Sequence, residues 1–356
     1  MKLTQLFILI SLSLILIIGC QEEFDSRTLP TATNLILGDT SYVEIFPAFE
    51  GFKNPTAILA GHDQLLYIAD TDNNRIIQMN EAGVILGEIT ILRPIALAQD
   101  LRLDLLVSGE IIRETTGDTI GGLFRIHLYE AEHVIANARI DTVFKGTAKP
   151  KRRYRGIGIL RENQYLIARD GPDNTSFIDP DTRVLWINKN DTLITPIGDL
   201  ATREGSGIVD ILRVTGLVTF PNSNDFILIQ SSVDGRMTYG ALWMVYHKSY
   251  DFEGWLPKFT TPSEFMRPKR FIEPSAVTID RSRLDIFIID QANDSIHKFD
   301  RRGLYKAESF GNGKIAASGQ GKLMKAPKGA AFMTKTLYVS DSGNNIIRRF
   351  RLSTDR

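Results

Sequence analysis

Pro327 to Phe350 reads P-K-G-A-A-F-M-T-K-T-L-Y-V-S-D-S-G-N-N-I-I-R-R-F. Short apolar runs of strand length flank a tight polar turn of Asp, Gly and Asn, the pattern of adjacent antiparallel strands. The same pattern recurs near the other end of the chain. Leu66 to Gly83 reads L-Y-I-A-D-T-D-N-N-R-I-I-Q-M-N-E-A-G, and Ile286 to Gly303 reads I-F-I-I-D-Q-A-N-D-S-I-H-K-F-D-R-R-G. Aligned on Asp70, Asp290 and Asp341, the copies place Asn73, Asn293 and Asn344 three residues on. Asn74, Asp294 and Asn345 follow, then Ile76, Ile296 and Ile347, and finally Met79, Phe299 and Phe350. A proline opens each copy: Pro55, Pro274 and Pro327. So many matched positions in three copies define an internal repeat.

The interval between the clear copies holds degenerate units of the same type. Pro94 opens one, with strand-like segments at Leu103–Gly109 and Leu123–Leu128. A second opens near Arg155, with Gln164–Asp170 and Arg183–Ile187. A third opens near Thr215, with Asp225–Gln230 and Leu242–Tyr246. None of the three carries the D-x-x-N-N turn. Six units of three to four strands fit a β-propeller, whose blades repeat every ~40–50 residues. The last unit runs out of chain after its third strand. Tyr42–Phe49 (Y-V-E-I-F-P-A-F) is therefore expected to supply the outer strand of the last blade and close the ring, with Pro47 tolerated on an edge strand. A β-sandwich or two smaller β domains would equally lack long helices, but a repeat at both ends favours a closed ring.

The motif P-x-G-(hydrophobic)-x-(hydrophobic) followed by L-Y-V-x-D-x-x-N-N-x-I-x-x-F resembles the NHL repeat of six-bladed propellers. The resemblance spans roughly Tyr42 to Leu352. It implies an all-β, six-bladed fold of the NHL or TolB-like type over residues 42–356. Gly-Asn-Gly-Lys (311–314) and Gly319–Leu323 look like the family's inter-repeat linker.

Composition bounds the rest. The chain has 356 residues, zero formal net charge and 43% hydrophobic residues, ordinary for a globular protein. Neutrality gives no general argument for nucleic acid. The five histidines are scattered, and no H-x-x-x-H or C-x-x-C spacing marks a zinc site. No G-x-S-x-G or H-E-x-x-H motif is present. One cysteine, Cys20, excludes an intrachain disulfide. Lys2 and the apolar run Leu6–Ile18 suit a secretory signal, shorter than the ~20 residues of a membrane span. Ile17-Ile18-Gly19-Cys20 resembles a bacterial lipobox. That resemblance implies a signal peptide over 1–19, acylation of Cys20 and a tether over 20–41. The acidic residues after Cys20 resemble the surface-export signals of Bacteroidetes lipoproteins. The expected location is the cell envelope, lipid-anchored at the outer membrane on its periplasmic or outer side.

Site residues follow from position in the repeat. The D-x-x-N-N turns and the opening prolines are expected on one face of the disc. Asp70, Asn73, Asp290, Asn293, Asp341 and Asn344 then have two readings. They are turn formers bonding nearby backbone N–H groups, or they form a ring of carboxylates and amides at a channel mouth able to hold a cation such as Ca²⁺ or another divalent metal. Glu110, Asp170, Asp234 and Asp290 are among several acids that a channel position would also suit. A basic cluster, Lys151, Arg152, Arg153 and Arg155, reads either as solvated loop or as a patch for an anionic partner such as a phosphorylated glycan. Aromatic residues concentrate from Tyr239 to Trp255: Trp243 and Tyr246 read as strand core, and Tyr250, Phe252 and Trp255 as packing onto their own blade or as stacking platforms. The function expected is a protein- or glycan-binding or scaffolding module, a monomeric domain with no cofactor and no nucleic-acid partner. The alternative comes from relatives of the NHL family: a metal-dependent lactonase- or lyase-like enzyme with its site at the central channel.

Overall fold

Among the described residues of the computed structural model, twenty-four short strands pair into six separate four-stranded antiparallel sheets. The structure describes residues 40–355 except 177, 198–210, 212, 232–238, 259–263 and 318–321. The signal and lipobox expectations, the tether up to residue 39, and Asp234 lie outside the described residues.

Blade 1 is β2 (Pro55–Ala60), β3 (Leu66–Asp70), β4 (Arg75–Met79) and β5 (Ile85–Thr90). Blade 2 is β6 (Ala96–Gln99), β7 (Leu105–Ile112), β8 (Thr119–Ile126) and β9 (Ile140–Lys145). Blade 3 is β10 (Arg153–Ile159), β11 (Tyr165–Asp170), β12 (Arg183–Ile187) and β13 (Leu193–Ile197). Blade 4 is β14 (Val214–Thr219), β15 (Phe226–Gln230), β16 (Ala241–Lys248) and β17 (Glu253–Pro257). Blade 5 is β18 (Pro274–Ile279), β19 (Ile286–Asp290), β20 (Ser295–Phe299) and β21 (Phe310–Gly311), followed by the short helix α1 (Asn312–Ala317). Blade 6 is β22 (Gly329–Met333), β23 (Thr336–Asp341) and β24 (Ile346–Leu352), and its outer strand is β1 (Tyr42–Phe49). Strand β1 runs antiparallel to β24, with Tyr42 opposite Leu352 and Phe49 opposite Ile347. This is the six-bladed propeller with N-terminal closure expected from the repeat. Each innermost strand touches that of the next blade, and β22 returns to β2.

The core lies between blades. Phe49, Leu66, Met79, Met333 and Tyr338 fill the seam of blades 6 and 1, and Tyr67, Leu105 and Phe124 that of blades 1 and 2. The second strands, buried on both faces, read as continuous apolar runs: L-Y-I-A-D, Y-L-I-A-R-D, F-I-L-I-Q and I-F-I-I-D. The aromatic run resolves as packing. Trp255, on β17, is fully buried and meets Trp186 edge-on at 4.9 Å, while Trp243 stacks on Phe220 at 4.7 Å. Tyr250 alone of that run stands fully in solvent.

Hydroxyl groups latch five of the six seams. Thr71 donates to Pro94 O at 2.7 Å, Ser108 to Tyr154 O at 2.6 Å, Thr215 to Pro274 O at 2.5 Å, Ser275 to Pro327 O at 2.7 Å and Ser342 to Pro55 O at 2.5 Å. The seam of blades 3 and 4 has no such latch among the described residues; there Arg161 donates from its backbone N to Asn224 Oδ1 at 3.0 Å and from Nε to Asn222 O at 2.7 Å, and the inner strands approach closely. A Cβ on Gly156 would come within 2.6 Å of the Leu217 nitrogen, so only glycine permits this approach.

Candidate functional site

The repeated turn explains itself residue by residue. Asp70 is fully buried and accepts bonds from Lys53 N (2.7 Å), Asn73 Nδ2 (2.8 Å) and Arg75 Nε (2.8 Å). Asp290 accepts from Ile272 N (2.9 Å), Glu273 N (2.9 Å) and Asn293 Nδ2 (3.1 Å). Asp341 accepts from Lys325 N (2.8 Å), Asn344 Nδ2 (2.8 Å) and Arg348 Nε (2.6 Å). Each aspartate thus ties its turn to the loop entering its own blade. The residue after the first Asn is left-handed, with φ of 55° at Asn74, 45° at Asp294 and 60° at Asn345. Its side chain then accepts a backbone N–H from the next blade's entry loop: Arg93 N at 3.0 Å, Ala326 N at 2.7 Å and Asn54 N at 2.7 Å. Asp and Asn tolerate that backbone and bond across it. Asp70, Asp290 and Asp341 are therefore taken up within their own blades, and it is Asn74, Asp294 and Asn345 that bond across the seams. Among the residues after them, Thr71 and Gln291 line the channel mouth.

That mouth is a recess of about 340 Å³ on the face of the turns and opening prolines. Four cations, Arg93, Arg155, Arg213 and Lys328, border it, with two carboxylates, Asp170 and Glu273. Arg93 is 3.3 Å from Asp72, and Lys328 donates to Asn54 Oδ1 at 3.1 Å. Gln291 donates to Glu273 Oε2 at 3.2 Å. Asp170 sits at the register position of Asp70, opposite the first residue of its blade's inner strand. Among the described residues no entry-loop N–H reaches it; the Gly171 N–H and Thr182 Oγ1, the latter at 3.3 Å, donate to it, and Arg155 Nε stands 3.9 Å away. Burial raises the Asp170 carboxyl above its ordinary value, against the pull of Arg155 and Arg213. Burial lowers the Arg155 guanidinium, and its neighbours Arg153 and Arg213 add to that.

A side recess of about 360 Å³ opens beside the mouth and shares Arg155, Asp170 and Arg213 with it. Lys151 and Arg153 complete its charged lining. The basic cluster expected from sequence thus divides. Lys151 and Arg155 face the recess, and Arg153 borders it but is bound to Glu110 Oε1 at 2.9 Å and to the Pro150 and Arg152 carbonyls. Arg152 is buried and bonds Asp181 Oδ1 at 2.7 Å and Asp179 Oδ2 at 2.8 Å. Arg213, absent from that cluster, joins it in space from blade 4. No spacing along the chain relates residue 213 to 155; only blade packing does.

The opposite mouth is larger, about 500 Å³, and mostly apolar. There Arg281 Nη1 lies 3.3 Å from His62 Nδ1, and burial with this cation holds the imidazole below its usual value. Among the described residues, no group of three or more His, Cys, Asp or Glu side chains is placed to hold a metal ion, and no helix is long and apolar enough to cross a membrane.

No family model matches the chain, and no curated protein matches it. Solved structures do. An auxiliary nutrient binding protein from Bacteroides thetaiotaomicron is 11% identical, with a TM-score of 0.56 over 85% of this chain and 70% of that one. A gluconolactonase from Xanthomonas campestris is 11% identical, with a TM-score of 0.56 over 88% and 90%. A putative gluconolactonase is 10% identical, with a TM-score of 0.56 over 89% and 93%. The likeness is one of fold: the chain is a six-bladed β-propeller with the architecture these proteins use.

Proposed function

We propose that this protein is a binding module of the cell envelope, anchored through acyl chains on Cys20 and holding an acidic glycan or protein group at the turn-face mouth. The observation that carries the reading is the charge of that mouth. Among the described residues four cations face two carboxylates there, and Arg213 acts on Asp170 without a close ion pair of its own. Fixed positive charge at a concave, partly apolar opening selects anionic groups. The likeness in fold to an auxiliary nutrient binding protein is consistent with this role.

A metal-dependent lactonase reading has the fold of the gluconolactonases in its favour. The lining does not fit a divalent cation. Asp170 and Glu273 are its only carboxylates among the described residues, and Arg155 and Arg213 crowd Asp170. Divalent cations of this kind take several oxygen ligands free of competing cations.

An array of acidic and neutral glycans tests the module. The full chain should retain acidic members, and retention of none, together with metal-dependent lactone hydrolysis, would overturn the reading. The anchor is tested separately. Cys20→Ser should abolish labelling by a palmitate analogue and release the protein from membranes, whereas a labelled, membrane-bound variant would refute it.

A further inference from the structure

We propose that the side recess between blades 3 and 4 is a phosphomonoester site, in which Lys151, Arg155 and Arg213 clamp a phosphate carried on a small organic group. This deepens the binding reading above and rests on it. Charge comes first. Among the described residues four cations border the recess against one carboxylate, Asp170. Arg153 is spent on Glu110 and on backbone carbonyls. Neither Lys151 nor Arg213 has an ion-pair partner among the described residues, and Arg155 lies beyond hydrogen-bonding distance of Asp170 at 3.9 Å. Among the described residues Lys151, Arg155 and Arg213 less Asp170 leave two positive charges. A phosphomonoester carries ≈ −1.5 to −2 at neutral pH and matches them, whereas a carboxylate or a sulfate ester leaves one uncompensated.

Geometry points the same way. Arg155 and Arg213 come from adjacent blades and border both recesses, so a group held between them reaches from side recess to mouth. A volume of about 360 Å³ exceeds a bare phosphate and leaves room for a sugar-sized substituent. Guanidinium forks suit phosphate oxygens bidentately. Burial first, and then Arg153 and Arg213, disfavour the charged form of Arg155, and a bound dianion offsets the repulsion from those two cations. The recess also occupies a place where the repeat breaks down. Blade 3 has the residues from Gly171 to Thr182 where the clear copies have the D-x-x-N-N turn, so Asp170 is not consumed as a staple.

Isothermal titration of the full chain in detergent, with inorganic phosphate, glucose 6-phosphate, glucose 6-sulfate and glucuronate, tests the site. Glucose 6-phosphate should bind tightest, and binding should weaken as salt rises. Arg213→Gln and Lys151→Gln, both at exposed positions, should each weaken it by roughly 10-fold or more, as losing a charged hydrogen bond does. Arg281→Gln, at the opposite mouth, should leave it unchanged. Equal binding by wild type, Arg213→Gln and Lys151→Gln would overturn the site, as would no heat with any of the four ligands. Glucuronate or the sulfate ester binding more tightly than the phosphate ester, with loss in Arg213→Gln, would overturn the phosphate assignment and leave the binding module standing. Inorganic phosphate binding as tightly as glucose 6-phosphate would remove the organic substituent from the assignment. Retention of neutral glycans without response to phosphate would overturn the clamp alone.

Discussion

Arg348 shows how much of this ring rests on single buried charges. It is 1% exposed and donates from Nε to Asp341 at 2.6 Å, from Nη1 to Glu44 at 2.8 Å, and from Nη2 to the Lys322 carbonyl. One guanidinium thereby joins the last turn, the entry loop of blade 6 and the N-terminal strand. Replacing it by methionine keeps the volume but leaves two buried carboxylates without a cation. Arg348→Met should cost about 3–5 kcal/mol of unfolding free energy in a denaturant titration, and a loss under about 1 kcal/mol would contradict the role given to it. At this scale the sequence was partly legible. The D-x-x-N-N pattern announced turn chemistry, because Asp and Asn bond locally and adopt positive φ wherever they stand. Which backbone N–H each aspartate captures was not legible, since Lys53, Glu273 and Lys325 are ordinary residues before their blades and only the folded loop brings them near.

Among the elements, the first three strands of each blade were readable and the fourth was not, apart from the ring-closing strand. Second strands such as β19 are buried on both faces and stand out as apolar runs. Outer strands β5 and β13 are largely exposed and carry little apolar pattern, so nothing distinguishes I-L-G-E-I-T or L-I-T-P-I from loop. Strand β1 was legible because a ring lacking one strand needs a donor. It binds by more than backbone pairing. Phe49 is buried and faces the Tyr338 ring at 6.5 Å, and Tyr42 stacks on Phe310 of blade 5 at 5.4 Å and meets Phe287 edge-on at 5.8 Å. A chain beginning at Gly51 should therefore expose the β24 edge and self-associate on size exclusion, while one beginning at Thr40 should elute as a monomer. A monomeric, cooperatively melting Gly51 chain would contradict the closure.

For the whole molecule, three regular blades and three irregular ones divide the work. Blades 1, 5 and 6 commit their aspartates to their own turns and entry loops, and the uncommitted charge gathers at blades 3 and 4. Sequence reading placed interest on the repeated Asp and Asn because repetition is what a sequence displays. The mouth instead draws on residues that interrupt the repeat. Arg155 was visible within a basic run and Asp170 among the candidate channel acids, but Arg213 joins them only through the packing of Gly156 against Leu217. The central claim is that this mouth holds anions and not a metal. A thermal-melt series on the full chain, with EDTA, Ca²⁺, Mn²⁺ and Zn²⁺ run beside glucose 6-phosphate, tests it most directly. A ligand at 100 times its dissociation constant adds about 2.7 kcal/mol, which in a domain this size raises the melting temperature by roughly 4 °C. The account predicts that rise with glucose 6-phosphate, its loss in Arg213→Gln, and no response to the metals or to EDTA. A metal-specific rise reversed by EDTA, with no response to the phosphate ester, would contradict it.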